Sequence, residues 1–232
     1  MDAVLERARQ DARALHEGGV DALLVENYGD APFHKTVGPE TTAAMTVAVL
    51  AVRGATDRPV GVNVLRNDAA AALAVAAATG AGFIRVNIHT GGMHTDQGWI
   101  EGRAADTIRL RGAVSPGVAI LADVMVKHAV PPSGVTLGGA ARDAVERGAA
   151  DAIIVSGTAT GSAASLDDVG VAAAAVSGTP VLVGSGVTPE TVRATLEVAA
   201  GVIVGSALEV GGRAGAPVDL ERVRRLVAAA RV

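Results

Sequence analysis

The sequence predicts an α/β fold, a (β/α)8 TIM barrel that lacks its first strand. Three observations predict it. Helical and strand-like segments alternate strictly along the 232 residues, the pattern of βαβ units and a parallel sheet. Polar residues gather at the C-terminal ends of most strands, where a barrel carries its chemistry. Two strand-then-Gly-Ser turns succeed one another near the C-terminus, where barrels of this kind often bind phosphate. No Gly-x-Gly-x-x-Gly follows the first strand, as a dinucleotide-binding sheet would want.

The elements follow in order. Leu5, Ala8, Ala12 and Leu15 recur at helical spacing, and Gly18-Gly19 closes that helix. A short apolar run, 21–27, turns polar at Glu26 and Asn27. Residues 41–53 read as a helix and 59–65 as a strand, followed by the Ala-rich helix 68–79 and the strand 82–88. The pattern continues with helix 100–111, strand 118–128, helix 137–147 and strand 151–156. Helix 166–176, strand 180–184, helix 189–198, strand 201–205 and helix 218–232 complete it. Phrases such as Thr79-Gly80-Ala81-Gly82 mark helix C-caps followed by tight loops into the next strand. The result is seven strands and eight helices, starting with a helix. No linker or shift in composition divides the chain, so residues 1–232 read as one domain.

Composition excludes several function classes. There is no cysteine, which removes disulfides, thiol catalysis and thiolate metal sites and suits a reducing cytosol. Aromatics are 2% and the net charge is −4, so a nucleic-acid partner with stacked bases is not expected. Apolar runs break well short of the roughly 18 residues that suggest a bilayer span, and residues 1–10 do not read as a signal peptide. The expected location is cytoplasmic, without integral membrane insertion.

The phosphate end is Val183-Gly184-Ser185-Gly186-Val187-Thr188-Pro189, echoed by Val204-Gly205-Ser206-Ala207. Glycines there leave backbone N–H groups open to an anion, and Pro189 suits a first helical turn. Gly184, Ser185, Gly186, Gly205 and Ser206 are therefore the candidate phosphate binders. If these loops follow strands seven and eight, the observed strands are two to eight. A complete barrel takes about 250 residues, so the expected deficit is one strand and its loop at the N-terminus. Its gap would expose two strand edges and invite association, hence an expected homo-oligomer, or closure by an upstream segment.

At the strand ends, alternation points Glu26, Asn63, Arg85, Asn87 and Asp123 inward at one mouth, with Met125 and Lys127 continuing the Asp123 row. Asn27 and Ser156 close the set, with Thr158 and Thr160 beyond Ser156. A barrel filled only for stability would use Val, Ile and Leu. Ion pairs of Arg85 with Glu26 or Asp123 would also plug such a barrel. Glu26, Asp123 and Lys127 are the candidate catalytic residues, and Asn27, Asn63, Arg85, Asn87, Gln97 and Ser156 the candidate substrate contacts. The long loop 89–103 has the length of a lid or binding loop and holds Gln97, Glu101 and the only Trp. Its His89 and His94 have no acidic partner at metal-ligand spacing, so no metal site is assigned, although Glu26 and Asp123 together would suit Mg2+.

The stretches Val25-Glu26-Asn27-Tyr28-Gly29-Asp30-Ala31-Pro32-Phe33, Gly61-Val62-Asn63-Val64-Leu65-Arg66-Asn67-Asp68, Phe83-Ile84-Arg85-Val86-Asn87, Thr95-Asp96-Gln97-Gly98 and Ala122-Asp123-Val124-Met125-Val126-Lys127-His128 resemble the BtpA family. The resemblance runs from the first helix to the last. It implies a barrel of the ribulose-phosphate-binding type and a link to photosystem I biogenesis or stability, a process more than a reaction. Family members usually begin with an apolar strand ending in a His and a Pro-Gly-rich segment, and this sequence starts inside the helix that follows.

Two functions from different classes fit. One is an isomerase, epimerase or lyase acting on a small phosphorylated metabolite. Asp123 or Glu26 would be its base, Lys127 its acid or electrostatic partner, and Asn63, Arg85 and Asn87 would orient hydroxyls or stabilise developing charge. The other is a non-catalytic assembly or stability factor for a membrane complex, or a barrel that has lost its activity.

Overall fold

The computed structural model describes residues 1–157 and 162–231. Its centre is a parallel sheet of seven strands: β1 (Leu23–Glu26), β2 (Val60–Asn63), β3 (Phe83–Val86), β6 (Ala119–Val124), β8 (Ala152–Val155), β9 (Val181–Val183) and β10 (Gly201–Val202), side by side in that order. Eight α-helices alternate with them: α1 (Asp2–Gly18), α2 (Pro39–Arg53), α3 (Ala69–Thr79), α4 (Ala104–Val114), α5 (Leu137–Arg142), α6 (Leu166–Ala175), α7 (Val192–Leu196) and α8 (Leu220–Ala230). Helix ends follow the local chemistry. Gly19 (φ 87°) and Gly80 (φ 72°) close α1 and α3 in the left-handed conformation that glycine adopts freely. Asp68, Ser165 and Asp219 cap α3, α6 and α8 through their side-chain oxygens.

The sheet is curled, and the inward Ile154, level with Asp123, is fully enclosed. The outward residues Val62, Ile84, Ile120 and Ile153 are fully enclosed beneath the helices. The inward residues Leu24, Leu121 and Leu182 are only half-buried. Strands β1 and β10 do not pair with each other among the described residues. The helical layer nevertheless closes on itself. α1 packs against both α2 and α8, and a side chain on Gly18 would overlap Val223 at 2.2 Å. Asp11 accepts the Val218 N–H at 2.9 Å, and Arg231 donates to the Gly19 carbonyl at 2.8 Å. No helix among the described residues is long and apolar enough to cross a membrane.

Two expectations are corrected. Loop 89–103 contains a hairpin, β4 (Gly92–Thr95) and β5 (Gly98–Glu101), to which β7 (Ala129–Val130) adds a third antiparallel strand. The strand expected over 118–128 ends at Val124. Met125 (φ 52°) and His128 (φ 58°) lie in the left-handed region, where a strand cannot continue. Lys127 therefore stands on a loop over the mouth rather than two steps along an inward row from Met125. Thr158 and Thr160 lie outside the described residues.

Candidate functional site

Strand register brings the polar residues together. Glu26 lies opposite Asn63 in the β1–β2 ladder. Arg85, on β3, spans from β1 to β6. Its Nε and Nη2 donate to the two oxygens of Asp123 at 2.8 and 2.9 Å, and its Nη1 donates to Glu26 Oε1 at 3.2 Å. Such a two-pronged pair fixes the guanidinium plane. Asn63 donates to the same Glu26 oxygen at 2.9 Å. Asn87 and Ser156 donate to Asp123 at 3.1 and 3.3 Å.

The two carboxylates thus differ. Asp123 is 0% exposed at its side chain and accepts four hydrogen bonds. Glu26 is 26% exposed, and no described residue donates to its Oε2. Burial works against the Arg85 charge, but Asp123 and then Glu26 more than offset it and hold its pKa above the ordinary arginine value. The Asn87 carbonyl oxygen is buried without a partner among the described residues, a costly state unless something outside them donates to it. Mg2+ does not fit between the carboxylates, because the Arg85 guanidinium already occupies that position. No group of three or more His, Asp or Glu side chains among the described residues could hold a metal ion.

Three loops frame the mouth, held by side chains spent on backbone. Asn27 is buried and brackets Leu65, accepting from its N–H at 2.7 Å and donating to its carbonyl at 3.3 Å. Asn67 does the same to Ile88 at 2.8 and 2.9 Å. Arg66 donates to the Lys127 carbonyl at 2.7 Å. Burial lowers its pKa, with Asp123 and Asp96 partly offsetting. Burial also lowers the Lys127 ammonium, and the neighbouring Arg85 adds to the shift. Gln97 sits in the β4–β5 turn and donates to Asp96. Lys35 ties the loop after β1 to the hairpin through the Trp99 carbonyl at 2.9 Å. His94 packs edge-on against Trp99, whereas His89 is buried elsewhere on the Gly148 carbonyl at 2.8 Å, so the two histidines do not converge.

The glycine-serine loops border a cavity of about 370 Å3 lined by Gly186, Thr188, Gly205, Ser206, Arg222 and Arg225 among others. The N–H groups of Gly205, Ser206 and Ala207 donate to no carbonyl among the described residues. Ser185 is spent differently from the expectation. Its hydroxyl accepts from the Gly157 N–H at 2.8 Å and donates to the Ser162 carbonyl at 2.9 Å, so it holds the neighbouring loop. Gly186 (φ 71°) sits where any side chain would meet the Ala163 backbone at 2.3 Å. A side chain at Gly184 would meet Ser156 Oγ at 2.7 Å and Arg85 Nη2 at 3.4 Å. Gly184 is thus the point at which the phosphate loop touches the polar cluster. Sequence reasoning assigned Arg222 and Arg225 no part in the phosphate end. Their spacing of three, one helical turn, places both on one side of the start of α8.

The BtpA family model matches residues 1–232. The chain belongs to the BtpA family. It is 49% identical over 230 residues to the Photosystem I biogenesis protein BtpA of Synechocystis sp., covering 99% of this chain and 80% of that one. An uncharacterised protein of Pyrococcus furiosus is 45% identical over 226 residues, 97% of this chain and 85% of that one. Among solved structures, this BtpA-family chain is similar to a thiamine phosphate pyrophosphorylase from Pyrococcus furiosus (TM-score 0.63, 16% identity, 96% of this chain and 89% of that one). It is also similar to N-(5'-phosphoribosyl)anthranilate isomerase from Pyrococcus furiosus (TM-score 0.61, 16% identity, 95% and 92%). At such identity the likeness establishes the TIM-barrel-like fold of this family member and nothing finer.

Proposed function

We propose that this chain is an enzyme that binds a small phosphorylated metabolite at the C-terminal mouth and carries out isomerase-, epimerase- or lyase-type chemistry on it. One observation carries the reading: a cavity lined by Arg222 and Arg225, with Glu190 beside them and room for a phosphate together with part of its metabolite, shares the 184–186 loop whose Gly184 lies against Arg85 of the Glu26–Arg85–Asp123 constellation. Gly186, Gly205 and Ser206 present backbone to the phosphate, and Arg225 and Arg222 supply charge. Ser185 and Gly184 hold the loop and its close approach. Glu26, partly exposed, is the base, and Asp123 positions Arg85. Arg85 stabilises negative charge developing on the substrate, as preorganised donors do in a site shielded from water. Asn63 orients Glu26, Asn87 offers its free carbonyl to a substrate hydroxyl, Ser156 supports Asp123, and Lys127 supplies positive charge or a proton from the loop.

The edges of β1 and β10, which do not pair with each other among the described residues, and the half-buried Leu24, Leu121 and Leu182 support reading the seven strands as two to eight of a barrel. They also favour association of copies, which a strand edge promotes.

A second reading, a non-catalytic assembly or stability factor, rests on the name of the Synechocystis relative. Relatives from Pyrococcus furiosus and Caenorhabditis elegans favour a task that all three organisms share. Thermal melting with a panel of phosphorylated sugars and their dephosphorylated counterparts tests the phosphate site. Stabilisation by phosphorylated members only, lost in Ser206→Asp, is expected. Equal effects of both sets, or none with any compound including inorganic phosphate, would refute it.

A further inference from the structure

Of 20 basic residues in the chain, two are lysines, Lys35 and Lys127, and both stand on loops at the barrel mouth. Everywhere else arginine serves. Arginine is always charged, whereas a lysine amine shed of its proton is a nucleophile. Lys35 is committed to the Trp99 carbonyl at 2.9 Å and is exposed. Lys127 is placed differently. Its backbone is pinned by the Arg66 guanidinium on its carbonyl at 2.7 Å, between the left-handed turns of Met125 and His128. Its side chain is half-buried and makes no ion pair or hydrogen bond with the described residues. Arg85 and Arg66 both act on its charge unfavourably, and Glu26 and Asp123 favourably. Desolvation beside a second cation is how proteins keep a lysine amine available for carbonyl chemistry.

We propose that Lys127 condenses with the aldehyde or ketone of a phosphorylated substrate to form a Schiff base, with Glu26 moving the protons. The inference rests on the phosphate-binding reading of the mouth and names its substrate class, phosphorylated carbonyl compounds. The neutral Nζ attacks the carbonyl carbon, the π electrons pass to oxygen, and that oxygen takes the proton lost from nitrogen. The resulting carbinolamine loses its hydroxyl as water after protonation, leaving a protonated C=N bond. That bond accepts the electron pair released when a neighbouring C–H bond breaks and Glu26 takes the proton, or when a neighbouring C–C bond breaks and Glu26 takes the proton of the hydroxyl on the departing carbon, which leaves as a carbonyl. Glu26 then returns the proton to the enamine carbon, and water adds to the C=N bond so formed, restoring the amine and releasing the product. Amine plus carbonyl gives imine plus water, so no oxidant or reductant enters.

The test is borohydride trapping, read by intact mass and peptide mapping. The protein is incubated with glyceraldehyde 3-phosphate, dihydroxyacetone phosphate, erythrose 4-phosphate or ribulose 5-phosphate and then reduced. Glycerol 3-phosphate, which has no carbonyl, is the blank. At least one carbonyl compound should leave a reduced adduct on Lys127, at least about tenfold above that on exposed Lys35. The adduct should vanish in Lys127→Arg and persist in Lys35→Arg, both with the melting temperature of the parent. No adduct above the blank, or labelling of Lys35 equal to that of Lys127, would overturn the proposal. The two readings fail separately. An adduct formed equally with unphosphorylated glyceraldehyde and indifferent to Ser206→Asp would keep the lysine and sink the phosphate site. Melting stabilised by the phosphates without any adduct would do the reverse.

Discussion

Replacing Asp123 by asparagine removes one negative charge from the most enclosed point of the mouth and changes no shape. The cost follows from the donors around it. Oδ1 accepts from Arg85 Nη2 and Ser156, and Oδ2 from Arg85 Nε and Asn87. Whichever oxygen becomes an amide nitrogen, its N–H groups point at an Arg85 N–H. Two acceptor contacts become donor–donor clashes, and the buried guanidinium is left with Glu26 alone. Removing one partner of a buried pair typically costs about 3–5 kcal/mol. For a chain of this size each kcal/mol shifts the melting temperature by roughly 2–4 °C, so Asp123→Asn should melt about 6–20 °C below the parent. Ser156→Ala, which deletes one long hydrogen bond to the same carboxylate, should cost about 1 kcal/mol. Melting followed by circular dichroism at pH 7, with denaturant titration as a second measure, reads both. An Asp123→Asn protein melting within about 3 °C of the parent would refute the claim that Asp123 is the counter-charge fixing Arg85.

Two further predictions concern the interior. Gly61 faces Phe83, and a Cβ there would lie 2.1 Å from the ring. Gly61→Ala should therefore destabilise by about 1–3 kcal/mol of overpacking, most of it recovered in Gly61→Ala/Phe83→Leu; an additive double variant would show that the ring is not the cause. His89 is buried and has its pKa lowered by that burial. The unfolded chain then binds its proton near pH 6.5 while the folded chain does not. Stability from this group is complete above about pH 6.5 and falls as pH drops toward the folded pKa, at up to about 1.4 kcal/mol per pH unit. The parent-minus-His89→Gln difference in stability should slope in that sense below pH 6.5, and a flat difference would show that burial of His89 contributes no pH dependence.

The barrel was legible because alternation of helices and strands is a local signal, and Arg85 with Asn87 because strand parity is one too. The inward convergence of Glu26, Asn63 and Asp123 follows from the same parity once the strands are in register. What was not legible depends on backbone conformation or on tertiary contact. Val124-Met125-Val126 has the side chains of a continuing strand, and only the φ of Met125 stops it. Asn27 looked like a ligand contact because its amide faces a rim, yet it is consumed by Leu65. Asn67, its counterpart, is likewise consumed by Ile88. The hairpin had a faint signal in the alternation of Gly92 to Thr95 and Gly98 to Glu101, drowned by its shortness. Arg222 and Arg225 join the site only through the fold, which sets the start of α8 beside Gly205 and Ser206.

We infer that the mouth holds a phosphorylated metabolite with its phosphate in the cavity beside Arg222 and Arg225 and its reacting end over Glu26. Crystals soaked with the most stabilising phosphorylated sugar test this directly. The phosphorus atom should lie between the amides of 186–187 and 205–207, within reach of Arg225, with the sugar extending past Gly184 toward Glu26, Arg85 and Lys127. A phosphate bound elsewhere on the protein, or a sugar directed away from Arg85, would contradict it.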